Sequence, residues 1–162
     1  VRSEFPDTPT SADLFGLVTI NSDDLGIGQR IEDAYANFDY VSPMIYPSHY
    51  APGFLGYRNP AAHPYEVVKY SLESALKKLQ TYRAQTASTS TATSSARASG
   101  KLRPWLQDFD LGATYDAAMV KKQIQATEEV LRSASGTNDF VGWYMWDPAN
   151  IYTEGALLGE GQ

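Results

Sequence analysis

The sequence predicts an α/β domain built on a parallel sheet. Short apolar segments alternate along the chain with longer segments of helical periodicity, and several apolar segments run directly into polar residues. This alternation requires a parallel sheet, because each helix carries the chain back to the start of the next strand. The carboxyl ends of the strands then share one face, and we expect functional side chains there.

Four segments are predicted to form the strands of this sheet. They comprise residues 14–20, 40–47, 102–110 and 140–146, and the far end of the third segment opens into a polar loop. Pro43 cannot donate a hydrogen bond to a neighbouring strand, so we expect a local irregularity or a bulge at this position.

Three helices are predicted between these strands. The first spans residues 30–38 and is expected to bury Ile31, Ala34, Tyr35 and Phe38. The second begins at Pro64 and carries an apolar stripe from Val67 to Leu79. The third spans residues 116–135, with Asp116 as its N-cap.

Two segments outside these elements have unusual compositions. Residues 48–62 form a long loop rich in proline, glycine and tyrosine, which is typical of lids and binding loops. Residues 86–100 are nearly all alanine, serine and threonine, and we interpret them as a solvated excursion and not as a domain boundary. Residues 1–162 are therefore expected to form one domain.

The composition restricts the classes of partner. The formal net charge of −6 disfavours nucleic acid and anionic membranes, because both bind basic surfaces. The chain has no cysteine, and no apolar run approaches the length of a membrane span. Its 11 tyrosines and 3 tryptophans suit a carbohydrate cleft as well as an ordinary core, since these rings are apolar on their faces and donate hydrogen bonds from their edges.

Half of a (β/α)8 TIM barrel explains the pattern better than an open doubly wound sheet. A complete barrel takes about 250 residues and eight strands, and only about half of the strands are predicted in this chain of 162 residues. The outer strands of a half-barrel expose edges, so a missing N-terminal half or a second copy in a homodimer is expected to cover them. Gly26 and Gly28 alone are weak evidence for a phosphate-binding loop and for the nucleotide-binding alternative.

Several segments resemble one protein family. They are residues 12–16 (ADLFG), 24–29 (DLGIGQ), 39–50 (DYVSPMIYPSHY), 60–68, 103–109 (RPWLQDF), 123–127 (QIQAT) and 146–153. In these residues the chain resembles a glycoside hydrolase domain family that belongs with the TIM-barrel glycosidases and was formerly of unknown function. The resemblance covers most of the chain.

This resemblance implies that the chain is the C-terminal half of a bacterial glycosidase barrel, roughly strands five to eight. It further implies a polysaccharide or cell-envelope glycan as substrate, no cofactor, and a secreted or cell-envelope location. Val1-Arg2 and Phe5-Pro6 resemble the remnant of a segment at the end of strand four that carries an aspartate in the family. Ser3-Glu4 interrupts that pattern and the aspartate is missing here.

Asp108 is the preferred catalytic residue. Glycoside hydrolysis uses two carboxyl groups, and Asp108 lies at a predicted strand end beside Trp105 and Gln107. Two structural roles compete with this hypothesis, namely capping of a loop and an ion pair with Arg103. Asp110 and Asp147 are weaker candidates, and Asp147-Pro148 is typical of a turn.

Further residues near the predicted strand ends suit the binding of a sugar. Tyr46 and Trp146 are expected to face inward and stack on sugar rings, and His49 could donate a hydrogen bond to a hydroxyl group. An inward Arg103 needs a charge partner, for which an acid in the absent half is a natural candidate. The remaining candidates for the sugar cleft are Trp105, Gln107, Asp147 and Asn150.

Other acidic residues and His49 lead to weaker hypotheses. Asp23 and Asp24 are expected to cap the following helix, which we favour over catalysis. His49 with scattered acids does not make a metal site. The sequence leaves two functional classes open: a glycosidase, and a non-catalytic half-barrel that binds carbohydrate or only self-associates.

Overall fold

The computed structural model describes residues 4, 5, 7–89, 100–133 and 140–157. Five strands are present in these ranges: β1 (Ser11–Phe15), β2 (Tyr40–Ile45), β3 (Lys101–Leu102), β4 (Trp105–Gln107) and β5 (Tyr144–Trp146). The helices are α1 (Ile31–Asn37), α2 (Pro64–Thr89), α3 (Ala117–Ser133) and α4 (Glu154–Leu157). Val1-Arg2 and Pro6 lie outside the described residues, and so does most of the segment 86–100.

The described strands form one parallel sheet in the order β1-β2-β4-β5, with β3 also paired to β2. The α/β class predicted from the sequence is therefore confirmed. An open doubly wound sheet reverses its strand order at a switch point, whereas the described strands follow one another in chain order. Helix α2 contacts both α1 and α3, so the three helices pack side by side.

The first strand differs from its predicted bounds. It ends at Phe15, and residues Gly16–Thr19 form one 3-10 turn instead of continuing the strand. The Thr19 hydroxyl donates to the Gly16 carbonyl at 2.6 Å, and the Lys78 ammonium donates to the Val18 carbonyl at 2.8 Å. Val18 is apolar because the turn buries it in the core, and not because it belongs to a strand.

Gly16 has no room for a side chain. A methyl group built on it would collide with the carbonyl oxygen of Met44 and lie 2.9 Å from the carbonyl carbon, both of which belong to the backbone. We expect Gly16→Ala to lower the free energy of unfolding by roughly 2 to 4 kcal/mol, measured by denaturant titration. Gly155→Ala is the matched control, because its nearest neighbour would be the Ala117 side chain at an ordinary 3.6 Å. Equal midpoints for the two variants would contradict this packing argument.

Pro43 produces an interruption but no bulge. Its pairing with Leu14 belongs to a continuous register from Ser11↔Tyr40 to Phe15↔Met44. On the other edge of β2, pairing stops after Val41↔Leu102 and resumes at Met44↔Trp105 with the register unchanged. Strands β3 and β4 are thus two parts of one strand. The missing N–H of Pro43 faces the gap between them, so the predicted irregularity is present but the bulge is not.

The helices follow the predicted apolar faces, with two differences. Ile31, Ala34 and Tyr35 are buried in α1, but Phe38 lies beyond the end of the helix and is 37% exposed, contrary to prediction. Helix α2 buries most of the predicted stripe and continues to Thr89, so residues 86–89, which the prediction assigned to the excursion, belong to the helix. The Asp116 carboxylate accepts the Met119 N–H at 2.9 Å, which confirms the predicted N-cap of α3.

The last strand is shorter than predicted. Only Tyr144–Trp146 pair with β4, because Gly142 has a φ of +88°, which a β-strand does not accommodate. Residues 140–143 are described but lie outside the ladder. None of the helices in the described ranges is long and apolar enough to cross a membrane.

Candidate functional site

The candidate site lies at the carboxyl ends of β2, β4 and β5. Tyr46 directly follows β2, Asp108 directly follows β4, and Asp147 directly follows β5. The three parallel strands end on the same side of the sheet, and their loops meet there. The sequence therefore placed these three residues correctly at strand ends.

Asp108 is buried and only half satisfied. Asp108 is 4% exposed, and its Oδ2 accepts a hydrogen bond from the backbone N–H of Thr153 at 2.8 Å. Its Oδ1 is buried and has no hydrogen-bond partner among the described residues. One oxygen thus holds the loop after β5, as the capping alternative proposed, while the other has no structural role. Buried carboxylate oxygens without a partner are rare, because each costs free energy.

Gln107 connects the end of β4 to two other elements. It is fully buried, and its Oε1 accepts hydrogen bonds from the backbone N–H and the hydroxyl of Ser48, at 3.2 and 2.9 Å. Its backbone exchanges two hydrogen bonds with the Gln123 side chain of α3, at 3.0 and 2.7 Å. Gln107 thereby fixes the start of the long loop after β2 beside Asp108.

Three rings gather at the mouth of the site. Tyr46 packs edge-on against His49, with ring centroids 5.3 Å apart, and against Phe109 at 5.6 Å. Burial raises the pKa of the Tyr46 hydroxyl well above its ordinary value, and electrostatic interactions with Asp13 and then Tyr152 raise it further. Tyr46 is therefore a neutral hydrogen-bond donor at any physiological pH. His49 is exposed beside it.

A cavity of about 520 Å³ opens next to these rings. Its walls are mostly apolar and combine the ends of β1 and β2 with the following loops. They consist of Phe15, Gly16, Leu17, Met44, Tyr46, His49 and Tyr50. Tyr46 and His49 contribute the polar groups that a ligand in this cavity would meet.

A second group of rings covers the sheet below the strand ends. Trp105 stacks on Tyr144 with centroids 4.5 Å apart and meets Trp146 edge-on at 6.2 Å. Trp146 is 42% exposed, so it presents an aromatic surface to solvent. The indole N–H of Trp105 donates to Oδ1 of Asp13 at 3.0 Å. These contacts bring together the predicted Trp105 and Trp146 and add an aspartate that the sequence did not single out.

Asp13 could have been found from the pattern of β1. Ser11, Asp13 and Phe15 are exposed, whereas Leu14 is buried. This alternation has the period of a β-strand with one buried face, and it places Asp13 on the exposed face. Prediction of the strand at residues 14–20 placed Asp13 just outside it, so this alternation was missed.

Arg103 lies on the same face and has neutral partners among the described residues. Its guanidinium stacks 4.1 Å from the centre of the Tyr40 ring. It donates to the Val141 carbonyl at 3.0 Å and to the Tyr144 hydroxyl at 2.9 Å. The alternative in which Arg103 pairs with Asp108 is wrong, because neither oxygen of Asp108 contacts it.

The other acidic candidates have local structural roles. Oδ1 of Asp147 accepts the N–H groups of Ala149 and Ile151, which confirms the turn expected there. Asn150 is exposed in this turn with a φ of +57°. The Asp110 carboxylate accepts the Tyr115 N–H at 2.7 Å.

Asp23 and Asp24 do not cap α1, contrary to prediction. Their carboxylates accept the N–H groups of Leu25 and Gly26 and close turns within the loop before the helix. The residue at the N-cap of α1 is Arg30, which makes no capping hydrogen bond with its side chain. In the described parts of the chain, no three acidic or histidine side chains are arranged to hold a metal ion.

Tyr50, in the cavity wall, should make stability depend on alkaline pH. Its hydroxyl is buried against the Ser71 hydroxyl at 2.8 Å, and burial raises its pKa from 10.0 to about 12. The folded state retains the phenolic proton longer than the unfolded state, so this contribution to stability is complete below pH 10 and is lost between pH 10 and about 12. It amounts to at most about 2.7 kcal/mol at 1.36 kcal/mol per pKa unit.

The Tyr50→Phe variant tests this expectation by urea unfolding across pH 8 to 12. The variant should be about 1 kcal/mol less stable near neutrality, because Ser71 loses its partner, and its stability should fall less steeply above pH 10. Tyr70→Phe, at an exposed ring, is the matched control. A Tyr50→Phe curve parallel to that of the unaltered protein would contradict the prediction.

The fold and the site define a parallel α/β domain whose strand ends carry a buried carboxylate and a group of aromatic rings. Residues 4–152 match a family described as a putative glycosyl hydrolase domain, and the chain belongs to that family. The resemblance noted from the sequence is thereby confirmed. No curated protein and no solved structure gives a significant match.

Proposed function

We propose that the chain is the C-terminal half of a (β/α)8 barrel that hydrolyses glycosidic bonds in a polysaccharide or a cell-envelope glycan. Membership of the glycosyl hydrolase domain family supports the type of reaction. The sequential parallel strand order supports the barrel, because strands that follow one another around a ring need no reversal.

The unpartnered Oδ1 of Asp108 is the observation that carries this proposal. An unpaired buried polar atom costs about 1 to 3 kcal/mol. The fold supplies a backbone N–H for Oδ2 and leaves Oδ1 without a hydrogen-bond partner among the described residues. An unsatisfied buried polar group in a native structure needs an explanation, and a role in chemistry is the one that we infer here. Asp108 is accordingly the proton donor to the oxygen of the leaving group.

The aromatic rings at the strand ends and on the sheet below them suit a sugar. Trp105 and Trp146 offer two aromatic faces for the apolar surfaces of pyranose rings, and Tyr46 offers a hydroxyl that remains protonated. His49 and Asn150, both exposed beside the strand ends, supply hydrogen bonds at the rim. Gln107 acts indirectly, because its buried amide positions the Ser48 loop.

The exposed sheet face supports a second half that completes the barrel. Phe15 is 53% exposed and Trp146 is 42% exposed on the side of the sheet that a closed barrel would cover. Four further strands, from an N-terminal half or from a second copy, would bury this face and supply an acidic partner for Arg103. The same exposure favours the competing function, a non-catalytic half-barrel that binds carbohydrate or self-associates.

Turnover of glycans by the protein and its Asp108→Asn variant tests the proposal. The panel contains neutral polysaccharides, chitin fragments and bacterial cell-wall glycan, and the released reducing ends are measured. We expect hydrolysis of at least one glycan and a loss of about 100- to 10,000-fold in the variant. Equal turnover by both proteins would remove Asp108 from the mechanism. Binding of a glycan without hydrolysis would favour the non-catalytic function.

A further inference from the structure

Asp13 is the acidic side chain on the ring-covered face of the sheet. It lies in the middle of β1, level with Ser42 of β2, and it is exposed. Its Oδ1 accepts the indole N–H of Trp105, the ring proposed to stack on the sugar. The carboxylate is therefore held beside the position of a bound sugar ring. It has no role in the turn or cap geometry that occupies Asp110 and Asp147.

A series of neighbouring groups connects Asp13 with Asp108. The charge of Asp13 raises the pKa of the Tyr46 hydroxyl, and Tyr152 raises it further. Tyr152 precedes Thr153, whose N–H donates to Oδ2 of Asp108. Both carboxylates are therefore linked to Tyr46, Asp13 through its charge and Asp108 through the segment that carries Tyr152. Asp13 lies within β1, and Asp108 directly follows β4.

We propose that Asp13 is the second catalytic carboxylate of the site and acts as the base that activates the attacking water. This inference rests on the proposed glycosidase function and adds the partner that Asp108 lacks. Within the described residues no hydrogen bond joins the two carboxylates. A carboxylate that activates water is the base of inverting glycosidases, whose two carboxyl groups lie about 6.5 to 9.5 Å apart to leave room for that water, so the proposed role of Asp13 requires inversion.

The reaction balances with these two groups and one water molecule. Asp108 gives its proton to the glycosidic oxygen while the bond from this oxygen to the anomeric carbon breaks, and the bonding electron pair stays on the oxygen. Water forms the new bond to the anomeric carbon and loses a proton to Asp13. The products are two hydroxyl groups. Asp13 then returns its proton to solvent and Asp108 takes one up, which restores the starting state.

Replacement of each carboxylate by its amide separates the two roles. The Asp13→Asn side chain still accepts the Trp105 N–H, so a role limited to positioning that ring would survive the change. We expect Asp13→Asn to lower turnover at least 100-fold on both natural glycans and 2,4-dinitrophenyl glycosides. Asp108→Asn should remain within about 10-fold of the unaltered protein on dinitrophenyl glycosides, because that leaving group needs no proton.

The stereochemistry and a matched variant complete the test. The first product observed by NMR should have the inverted anomeric configuration, and retention would overturn the water-activating role. Asp33→Asn, at an exposed aspartate on α1, should retain full turnover. Full activity of Asp13→Asn would remove Asp13 and leave the glycosidase proposal intact. Absence of turnover by the unaltered protein on all glycans and aryl glycosides would instead reject the proposed function, and the role of Asp13 with it.

Discussion

The Asp108→Asn variant is expected to be more stable than the unaltered protein while it loses turnover. The asparagine oxygen can keep the hydrogen bond from the Thr153 N–H, so the loop after β5 remains held. The group left at the position of Oδ1 is then a neutral amide in place of a carboxylate oxygen. Burial of an unpaired neutral group costs less than burial of an unpaired charged group, so the comparison is made at alkaline pH, where the carboxyl group of the unaltered protein has lost the proton that it donates in catalysis. Under these conditions we expect a gain of about 1 to 2 kcal/mol in the free energy of unfolding.

Asp147→Asn is the matched control for this gain, because Asp147 is also buried and lies in the same part of the site. Its Oδ1 accepts two backbone N–H groups, at 2.7 and 3.0 Å. Neutralising this carboxylate weakens two charge-assisted hydrogen bonds, so stability should fall by about 0.5 to 1.5 kcal/mol. Denaturant unfolding of both variants measures whether each change raises or lowers the free energy of unfolding. A loss of stability in both would mean that Asp108 has a structural partner.

Opposite effects on stability and turnover would identify Asp108 as a residue retained for its chemistry. A structural residue that is removed costs stability, and activity falls because less protein is folded. Replacement of a functional residue in unfavourable surroundings has the opposite effect, since it raises the free energy of unfolding while activity falls. Measuring both quantities on the same variant therefore separates the two explanations.

The sequence predicted those site residues whose position follows from strand ends. Tyr46, Asp108 and Asp147 each follow an apolar segment directly, and parallel strands bring such positions together. Asp13 lies inside a strand, where its role depends on which face is exposed. The apolar run 14–20 concealed this strand, because burial of a 3-10 turn and burial of a strand both select apolar residues. Hydrophobicity alone does not distinguish them.

Family resemblance and residue patterns contributed different parts of the prediction. Alternation of strands and helices predicted the α/β class, which the structure confirms. The quoted segments predicted the family, which the match over residues 4–152 confirms. Contacts such as Trp105 with Asp13 could not be predicted, because the residues are far apart in sequence and their meeting depends on the register of three strands.

Gln123 was missed for a related physical reason. The buried face of a helix is recognised in a sequence mainly from its apolar residues, and a glutamine interrupts such a pattern. Gln123 is nevertheless fully buried, because its amide pairs with the backbone N–H and C=O of Gln107. The Gln123 side chain therefore supplies hydrogen-bond partners from α3 to both backbone groups of Gln107 in β4. A polar residue in the core is thus explained by the backbone groups that it serves.

Replacement of Gln123 by methionine should cause one of the largest losses of stability. Methionine fills a similar volume and favours helices, so packing and helix propensity change little. Two buried backbone groups of Gln107 lose their partners, at about 1 to 3 kcal/mol each, so the expected loss is about 2 to 6 kcal/mol. Gln125→Met, on the exposed face of the same helix, should change stability by less than about 0.5 kcal/mol. Denaturant unfolding measures both.

The Gln123→Met variant also tests how the site is held in place. Gln107 connects Gln123 of α3 to Ser48 of the long loop, and Ser48 lies two residues beyond Tyr46. If this connection positions the site, a variant that is still folded should bind sugars more weakly, although Gln123 contacts no residue of the cleft other than Gln107 in the described structure. Hydrogen exchange of the loop after β2 should then increase more than exchange within α2. Unchanged exchange in that loop, together with a full loss of stability, would restrict Gln123 to the core and leave Ser48 to be positioned by other contacts.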